Sequence, residues 1–484
     1  MDEKLFFMSL DIGTTNVTAA IFDSVGNVIE KTVSEYNLIT PEPKIVEQNA
    51  LDWWIASKKA IKSHKSKLEK LVGLSISSQR ATVIPVDNNG EPIHNAITWM
   101  DARTPEIDDV ELSEFLLQRT TTQKLLWLKQ NKPDVFNNAF MFLPVDSFIY
   151  FKLTGKFVMN SSNAAYFPYS VSEGKLLVDV LEKTEIPIEK VPQIVSSGSL
   201  LGEITKDASK ELSLPEDVKI VMGAGDQQCS LLGLGGIDSS SLKATTGTGT
   251  FIDVTIDEPL FEFYNKMTHL FVLPHALPNK WMIEAVIPGT GAILKWYRDN
   301  FAFPEKDEAQ KTGVDVYDII AEKAASVSPG SDGLGVIPLF NFGKGIIYGL
   351  SFSHNRHSLA RAIMESNGYS IRFFLDMFDE FGISIENIRV DGGGAKSELW
   401  RQIQADITNK PVILTQSIEN ASSLGAAILT SVGTGIYKTI EDAIHSMVHI
   451  EKTHNPDSAN YERYSEYYEK YQEMMLSAAS ELDV

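Results

Sequence analysis

Asp11 combines a carboxylate with a turn suited to binding phosphate. It follows the short apolar run Phe6–Leu10 and precedes the turn Gly13-Thr14-Thr15-Asn16. Glycine lets the backbone approach an anion, the hydroxyl and N–H groups donate to it, and a carboxylate can orient Mg²⁺. The same pattern also occurs as a structural turn. Asp11 is therefore a candidate metal-positioning residue beside a candidate phosphate site.

Asp226 is the second aspartate in such a position. It follows the apolar run Ile220–Met222 and the glycines of Gly223-Ala224-Gly225, and it precedes Gln227 and Gln228. An aspartate held at a strand end can accept the proton of a substrate hydroxyl, while neighbouring amides bind adjacent hydroxyls. An Asx-type turn is the structural alternative.

Two further glycine loops strengthen the case for an anionic ligand. Thr245-Thr246-Gly247-Thr248-Gly249-Thr250 precedes a β-branched strand, and Asp391-Gly392-Gly393-Gly394-Ala395 lies between a short strand and a predicted helix. A strand, consecutive glycines and a helix start form a place where a nucleotide can lie against the backbone. Neither loop is a Walker A motif, and no Gly-x-Gly-x-x-Gly fingerprint follows the first strand.

A polar segment completes the candidate site residues. Ser78-Gln79-Arg80 and Trp99-Met100-Asp101-Ala102-Arg103 offer amides, a guanidinium and a carboxylate that could form the rim of a polyol site. The alternative is a surface loop with ion pairs. The histidine pairs of the chain lack an acidic third ligand at a zinc-type spacing, which favours structural roles.

Composition limits the partners of this 484-residue chain, which is long enough for two large domains or three smaller ones. Its formal net charge is −21, and this repels nucleic acid and anionic membranes. Cys229 is the single cysteine, no apolar run approaches the ~20 residues that span a bilayer, and no apolar signal-peptide core follows a basic N-terminal segment. We expect a cytoplasmic protein and leave a homodimer open.

The elements that must position these residues alternate between strands and helices, which favours an α/β fold. The chain opens as an antiparallel meander over Phe6–Leu10, Val17–Phe22 and Val28–Val33, and a lysine-rich amphipathic helix with apolar positions from Trp54 to Leu71 follows. The Gly-Thr turn before residues 251–256 resembles the one before residues 17–22 and suggests two related halves. Gly233–Ser241 is the most linker-like stretch, which predicts domains of residues 1–235 and 236–484. A terminal helix over 460–482 is predicted to dock on the body.

Taken in chain order, these segments resemble the FGGY family of carbohydrate kinases, which shares a superfamily with actin and the heat-shock chaperone ATPases. The resemblance covers essentially the whole chain. The family's two phosphate motifs are resembled by Asp11–Asn16 and by residues 245–250, and its adenosine motif by residues 391–395. Its sugar-contacting segment is resembled by Ser78–Thr82 with Trp99–Arg103, and its catalytic-base motif by Gly225–Gln228.

The resemblance implies two ribonuclease H-like α/β domains with mixed sheets and a cleft between them. It implies ATP-dependent transfer of the γ-phosphate to a terminal hydroxyl of a small linear sugar, ketose, polyol or sugar acid. Asp226 would be the general base, and Asp11 would position Mg²⁺. The implied sugar contacts are Gln79, Arg80, Trp99, Asp101 and Gln227, and the implied nucleotide contacts are Thr14, Thr15, Asn16, Gly247, Thr248, Gly249, Gly291, Gly393, Gly394 and Ser397.

Departures from the family pattern bear on the acceptor. Ala81 stands where glycerol kinases carry Glu, and Arg119 stands where one family signature expects an aromatic or small residue five positions before Lys124. Residues 274–338 resemble autoinducer-2 kinases, and a xylulokinase-like activity is an equal alternative. The rival from another class is a non-catalytic relative that binds sugar or nucleotide and acts through a protein partner. Intact Asp11, Asp226 and glycine loops argue against it.

Overall fold

The computed structural model describes residues 5–64, 67–117, 119–261, 270–338 and 345–481. The strands before residue 226 are β1 (Phe6–Ile12), β2 (Asn16–Asp23), β3 (Val28–Glu35), β4 (Glu47–Gln48), β5 (Leu71–Ser78), β6 (Ile84–Val86), β7 (Ala96–Ile97), β8 (Met141–Leu143), β9 (Val158–Met159), β10 (Tyr169–Ser170), β11 (Lys175–Leu176), β12 (Gln193–Ile194), β13 (Leu200–Glu203), β14 (Lys219–Val221) and β15 (Ala224–Gly225). The helices in this half are α1 (Ala50–Lys62), α2 (Val110–Leu116), α3 (Thr120–Asn131), α4 (Pro133–Asn138), α5 (Val145–Thr154), α6 (Ser161–Ala164), α7 (Val178–Thr184), α8 (Lys206–Leu212) and α9 (Asp226–Gly233).

The second half again mixes strands and helices. Its strands are β16 (Ser241–Thr246), β17 (Thr250–Ile256), β18 (Leu270–Pro274), β19 (Trp281–Ile287), β20 (Gly335–Ile337), β21 (Ile346–Tyr348), β22 (Asn387–Asp391), β23 (Val412–Thr415) and β24 (Ile450–His454). Its helices are α10 (Thr290–Asn300), α11 (Phe303–Thr312), α12 (Val316–Ala325), α13 (Arg356–Glu380), α14 (Glu398–Thr408), α15 (Ala421–Gly433), α16 (Ile440–Met447) and α17 (Ser458–Glu481).

Each half is built on one mixed sheet, and the two sheets share a connection pattern. In the first sheet, β1, β2 and β3 form the predicted antiparallel meander, and β5 runs parallel to β1. In the second sheet, β16, β17 and β19 lie side by side with antiparallel pairing, β18 pairs with the outer side of β19, and β22 runs parallel to β16. Strand β14 then continues parallel to β5, as β23 does to β22. The repeated pattern agrees with the two related halves suggested by the Gly-Thr turns.

Burial explains why the meander strands are apolar. Phe7, Met8 and Leu10 on β1 are fully buried, because Met8 and Leu10 share a core with residues of α1 and α5 while Phe7 shares one with residues of α15 and α16. Helix α1 is capped by Asn49, whose side chain accepts from the N–H of Leu51. It is shorter than its apolar spacing predicts, since Leu71 already begins β5 and belongs to the sheet.

Helices α9 and α15 join the two halves through a close crossing. A Cβ added at Gly233 would lie 1.9 Å from the carbonyl oxygen of Ala421, and one at Gly425 would lie 1.8 Å from that of Cys229. Only glycine allows backbones to approach this closely. Helix α15 also packs on β1 and β5, so an element from late in the chain supports the first sheet.

The terminal helix α17 packs on α13 of the second half. Tyr464, Tyr468 and Tyr471 of α17 are buried against Tyr369 of α13. Residue 482 of the predicted span lies outside the described residues. Among the helices within the described ranges, none combines the length and the apolar character needed to cross a bilayer.

Candidate active site

The first sheet brings Asp11 and Asp226 to the same edge. In the parallel register of β1, β5 and β15, Asp11 lies opposite Ser77, and Ser78 lies opposite Gly225. Asp226 follows Gly225 directly as the first residue of α9. In open α/β sheets, ligands bind beyond the carboxyl ends of parallel strands, which is where both carboxylates lie.

The second sheet presents its two glycine loops in the same way. Thr245 on β16 lies opposite Asp391 on the parallel strand β22, so both loops leave adjacent strand ends. Asp391 Oδ2 accepts a hydrogen bond of 2.7 Å from Ser230 Oγ on α9. This bond ties the glycine loop of the second sheet to the helix that begins at Asp226.

The pKa of Asp11 is raised to about 6. Burial is the main cause, and the negative charge of Asp226 adds to it, while the hydroxyls of Ser77 and Ser422 act in the opposite direction. A cation bound here would stabilise the ionised form of Asp11, because its charge offsets both the cost of burial and the repulsion by Asp226.

Arg80 lies between two carboxylates that come from different sheets. Its Nη2 is 2.6 Å from Glu284 Oε2 on β19, and its Nε is 3.4 Å from Asp226 Oδ1. Burial lowers the pKa of Arg80, but the charges of Glu284 and Asp226 raise it by more. Burial also raises the pKa of Asp226, which Arg80 opposes and Glu284 reinforces. The Asp226 side chain remains 35% exposed, so it can still meet a ligand.

A buried lysine holds Gln227 in place. Lys243 Nζ donates to Gln227 Oε1 and to Asp253 Oδ2, both at 2.6 Å, and the side chains of Lys243 and Asp253 are fully buried. Burial lowers the pKa of Lys243, while Asp253 and Asp391 raise it, and the net direction is upward. The lysine thus remains charged and fixes the amide next to Asp226.

The predicted sugar-contacting segment touches the turn after Asp11. Trp99 Nε1 donates to Thr14 Oγ1 at 3.0 Å. Gln79 Nε2 donates to Gln48 Oε1 at 2.9 Å, and Gln48 Nε2 donates to the carbonyl oxygen of Thr14 at 2.6 Å. The structure therefore brings the candidate sugar and phosphate residues of the first sheet together.

Asp101 is held by the protein itself. Its Oδ2 accepts from the N–H of Val46 at 2.9 Å, and both of its oxygens accept from the guanidinium of Arg103. Arg103 also pairs with Glu47 at 2.8 Å. Asp101 therefore organises the wall of the site rather than pointing a carboxylate into it.

A strained turn follows Arg80. Ala81 has a φ of 56°, in the left-handed region that favours glycine, and its carbonyl oxygen accepts a 2.7 Å hydrogen bond from the buried Lys124. Burial lowers the pKa of Lys124 to about 8. Arg119 directly precedes α3 and packs against α2, where it donates to the carbonyl oxygen of Phe115 at 2.8 Å and stacks on that ring.

A cavity of about 470 Å³ opens beside the glycine loops of the second sheet. Helix α10 starts at its edge, where the carbonyl oxygen of Thr248 accepts from the N–H groups of Gly291 and Ala292. The wall includes five predicted nucleotide contacts together with side chains from α12 and its N-cap residue, from α13 and from α14. These are Gly247, Gly291, Gly393, Gly394 and Ser397, and Asp315, Tyr317, Asp318, Met364 and Trp400.

Several buried polar atoms at the strand ends lack a partner within the protein. Buried polar groups are nearly always hydrogen-bonded, so a cluster of unpartnered ones indicates a place for a ligand or water. The atoms are Ser78 Oγ, Gln79 Oε1, Arg80 Nη1, Gln228 Oε1, Thr245 Oγ1 and Asp391 Oδ1. They belong to the segments around Asp226 and to the two glycine loops.

Comparison with known proteins identifies the family. Residues 6–233 match the N-terminal domain of the FGGY family of carbohydrate kinases, and residues 242–434 match the C-terminal domain. The chain belongs to the FGGY family of carbohydrate kinases. It is thus an ATP-dependent carbohydrate kinase, a phosphotransferase with an alcohol group as acceptor.

Individual FGGY relatives match nearly end to end. The xylulose kinase of Staphylococcus epidermidis is 29% identical over 97% of this chain and 96% of its own. Glycerol kinase 1 of Saccharolobus solfataricus is 30% identical over 95% and 94%. The crystal structure of xylulose kinase from Rhodospirillum rubrum superposes with a TM-score of 0.88 at 24% identity, over 99% and 100%. The predicted two-domain α/β fold is confirmed.

The candidate site contains residues that sequence reasoning missed. Glu284 lies inside the apolar strand β19, and Lys243 lies inside β16, just before the hydroxyl-rich glycine loop. A single charge within such a strand is itself a signal, since a buried charge must be paired. Gln48 and Tyr166, whose ring lies 5.9 Å from the Arg80 guanidinium, carried no comparable signal.

Proposed function

We propose that Asp226 is the general base of this kinase and that a small linear polyol, ketose or sugar acid is its acceptor. The observation that supports this most is the placement of Asp226. It is a part-exposed carboxylate at a strand end, oriented by a 2.8 Å hydrogen bond from the N–H of Gln227 and surrounded by buried polar atoms without partners.

The step that follows from this placement is an in-line displacement. The acceptor hydroxyl gives its proton to the carboxylate of Asp226, and its oxygen attacks the γ-phosphorus of ATP as the bond to the bridging oxygen of ADP breaks. Nη1 of Arg80 and the side-chain Oε1 atoms of Gln79 and Gln228, which have no partner in the protein, would hold the hydroxyls of the acceptor. Asp101 and Lys124 act through Arg103 and Ala81 as positioning residues.

The nucleotide would lie across the glycine loops of both sheets. We assign the phosphates to the turn after Asp11 and to the loop after β16, and the adenosine to the cavity beside α14. The proposed phosphate contacts are Thr14, Thr15, Asn16, Gly247, Thr248 and Gly249. The proposed adenosine contacts are Gly291, Gly393, Gly394 and Ser397.

The donors around Asp11 fit Mg²⁺ bound mainly through phosphate. Within the described ranges, no group of three or more His, Cys, Asp and Glu side chains could hold a metal ion alone. Mg²⁺ in kinases is commonly held by one or two carboxylates, substrate phosphates and water, and Asp11 supplies such a carboxylate. Bound there, the ion would neutralise phosphate charge. Asp11, at the strand end opposite Ser77, would orient the bound ion.

The domain limits remain proposals. We place the boundary between residues 235 and 236, in the stretch between α9 and β16. The proposed sugar contacts then belong to residues 1–235 and the adenosine contacts to residues 236–484.

An ADP-release assay with MgATP tests the acceptor. The panel holds glycerol, xylulose, ribulose, erythritol, gluconate and the autoinducer-2 precursor, with Asp226→Asn as the control. We expect strong turnover with one of these acceptors that is lost in the variant. Turnover that persists in Asp226→Asn would contradict the assignment of the base.

Gly291→Ala tests the proposed nucleotide contacts. A Cβ at Gly291 would lie 1.8 Å from the carbonyl oxygen of Gly247, so the loop that carries Gly247 must move. We expect the KM for ATP to rise by at least about tenfold and the melting temperature to fall, because the clash is with backbone. Gly393→Ala is the matched control, since no atom lies within 4 Å of its added Cβ, and its melting temperature without ligand should stay unchanged. An unchanged ATP affinity in Gly291→Ala would refute this placement.

A further inference from the structure

Three charged residues form a row across the second sheet, facing the candidate acceptor site. Lys243 on β16 lies opposite Asp253 on β17, and Asp253 lies opposite Glu284 on β19. Opposed residues on neighbouring strands point to the same face. Lys243 contacts Gln227 and Glu284 contacts Arg80, so this face meets the strand ends of the first sheet at both ends of the row.

Of the three guanidinium nitrogens of Arg80, only Nη1 has neither a hydrogen-bond partner nor an ion-pair partner in the protein. Nη2 donates to Glu284 Oε2 at 2.6 Å, and Asp226 Oδ1 lies 3.4 Å from Nε. Nη1 is buried and has no partner in the protein. A carboxylate binds a guanidinium best through two parallel hydrogen bonds, whereas a hydroxyl needs one donor.

We propose that Glu284 makes this kinase select uncharged acceptors, polyols and ketoses, over sugar acids of the same chain length. The inference deepens the proposed function and depends on Arg80 facing the acceptor. A carboxylate that bridged Nη1 and Nη2 would share Nη2 with Glu284, whose negative charge lies 2.6 Å from that nitrogen and repels an incoming anion. The remaining Nη1 serves a hydroxyl.

The electrostatics of the neighbouring groups support this selectivity. The two cations that act on Asp226 are Arg80 and Lys243, and each is already paired with a carboxylate of the second sheet. An incoming sugar acid would have to displace Glu284 or lie beside Asp226 as a like charge. Like charges brought together in a desolvated site are strongly unfavourable.

The cations at the rim are also engaged. Arg103 pairs with Glu47 and Asp101, and Lys124 donates to the carbonyl oxygen of Ala81. Each of these bonds supports the fold of the wall. Recruiting either cation to a carboxylate would therefore cost a contact that the site already uses.

Matched acceptor pairs provide the test. Xylitol is compared with xylonate, ribitol with ribonate and glucitol with gluconate, and xylulose is added as the ketose. Binding is measured by calorimetry with the full-length protein, and turnover by ADP release. We expect the best neutral acceptor to exceed its matched acid by at least about 100-fold in kcat/KM. A wild-type protein that binds or turns over an acid as well as its neutral partner would overturn the inference.

Variants of Glu284 test the cause. Glu284→Gln keeps the shape and removes the charge, and it should shift the ratio at least about tenfold toward the acids. Glu284→Asp keeps the charge and should keep the preference for neutral acceptors. Glu211→Gln removes an exposed charge that pairs with Lys58 and should leave the ratio unchanged. A folded Glu284→Gln variant with the wild-type ratio would contradict the role of this residue. If that variant does not fold, the matched acceptor pairs measured with the wild-type protein still decide whether the selectivity exists.

Binding and turnover separate this inference from the proposed function. ADP release with sugar acids but not with neutral acceptors would keep the kinase and overturn the selectivity. If the protein binds nucleotide but releases ADP with none of the acceptors, the proposed acceptor chemistry fails. Calorimetry with the alditol and aldonate pairs then still decides whether the site prefers neutral ligands over acids.

Discussion

Asp226→Asn is expected to lower kcat by about 10²–10⁴ and to leave the melting temperature at or above that of the wild type. The amide keeps the shape of the side chain and the hydrogen bond from the N–H of Gln227, but it cannot take a proton from the acceptor. Nucleotide affinity should change little, because the proposed adenosine contacts lie in the second half of the chain.

The expected stability follows from the direction of the pKa shift. Burial raises the pKa of Asp226 in the folded protein above its value of 3.8 in the unfolded chain. Folding therefore favours the protonated form, and that stability is lost as pH rises through the folded pKa. Above its folded pKa, the wild type carries an ionised carboxylate at a cost in stability, which the neutral amide avoids. Asp217→Asn, an exposed change of the same type, is the control and should affect neither activity nor stability.

The pH profile gives a second readout of the same assignment. A general base must be ionised, so kcat/KM should rise with pH along an acid limb that lies above 3.8. Glu284 raises the pKa of Asp226, and Glu284→Gln should therefore move this limb to lower pH. Wild-type activity in Asp226→Asn, or a limb that moves upward in Glu284→Gln, would rule out Asp226 as the base.

Much of the framework is predictable from the sequence because local patterns determine it. The meander β1–β3 follows from alternating apolar runs and tight turns, and the glycine loops follow from three consecutive glycines or hydroxyl-rich repeats after a strand. These patterns also place Asp11 and Asp226 at strand ends. That both lie at the same edge of the sheet does not follow from local sequence, because it depends on the parallel register that sets Asp11 beside Ser77 and Ser78 beside Gly225.

The contacts between the halves are the part that sequence reasoning could not supply. Arg80 and Glu284 are separated by more than 200 positions, and nothing near either residue specifies the other. Asp101 shows a second limit of sequence reasoning. Its residue type suggests that it binds a ligand, but in the structure its oxygens accept hydrogen bonds from Arg103 and Val46. The Arg80–Glu284 pairing arises only once the two sheets face each other.

Lys243→Met is expected to cost about 3–5 kcal/mol of the free energy of unfolding, because it leaves Asp253 as a buried charge without its partner. Both side chains are fully buried, and burial already raises the pKa of Asp253. Gln227 also loses its donor, so kcat should fall in any of the protein that remains folded. Denaturant unfolding followed by fluorescence measures the first effect, and ADP release measures the second.

The control and the double variant determine whether the buried pair is responsible. Lys58→Met removes a part-exposed lysine that pairs with Glu211 and should cost no more than about 1 kcal/mol. Lys243→Met combined with Asp253→Leu removes both charges, and it should recover much of the stability because an apolar pair can replace a buried ion pair. Activity should stay low in the double variant, since Gln227 still lacks its donor beside Asp226. Full activity there would show that Lys243 serves the fold alone, and a Lys243→Met protein as stable as the Lys58→Met control would show that Asp253 does not need its partner.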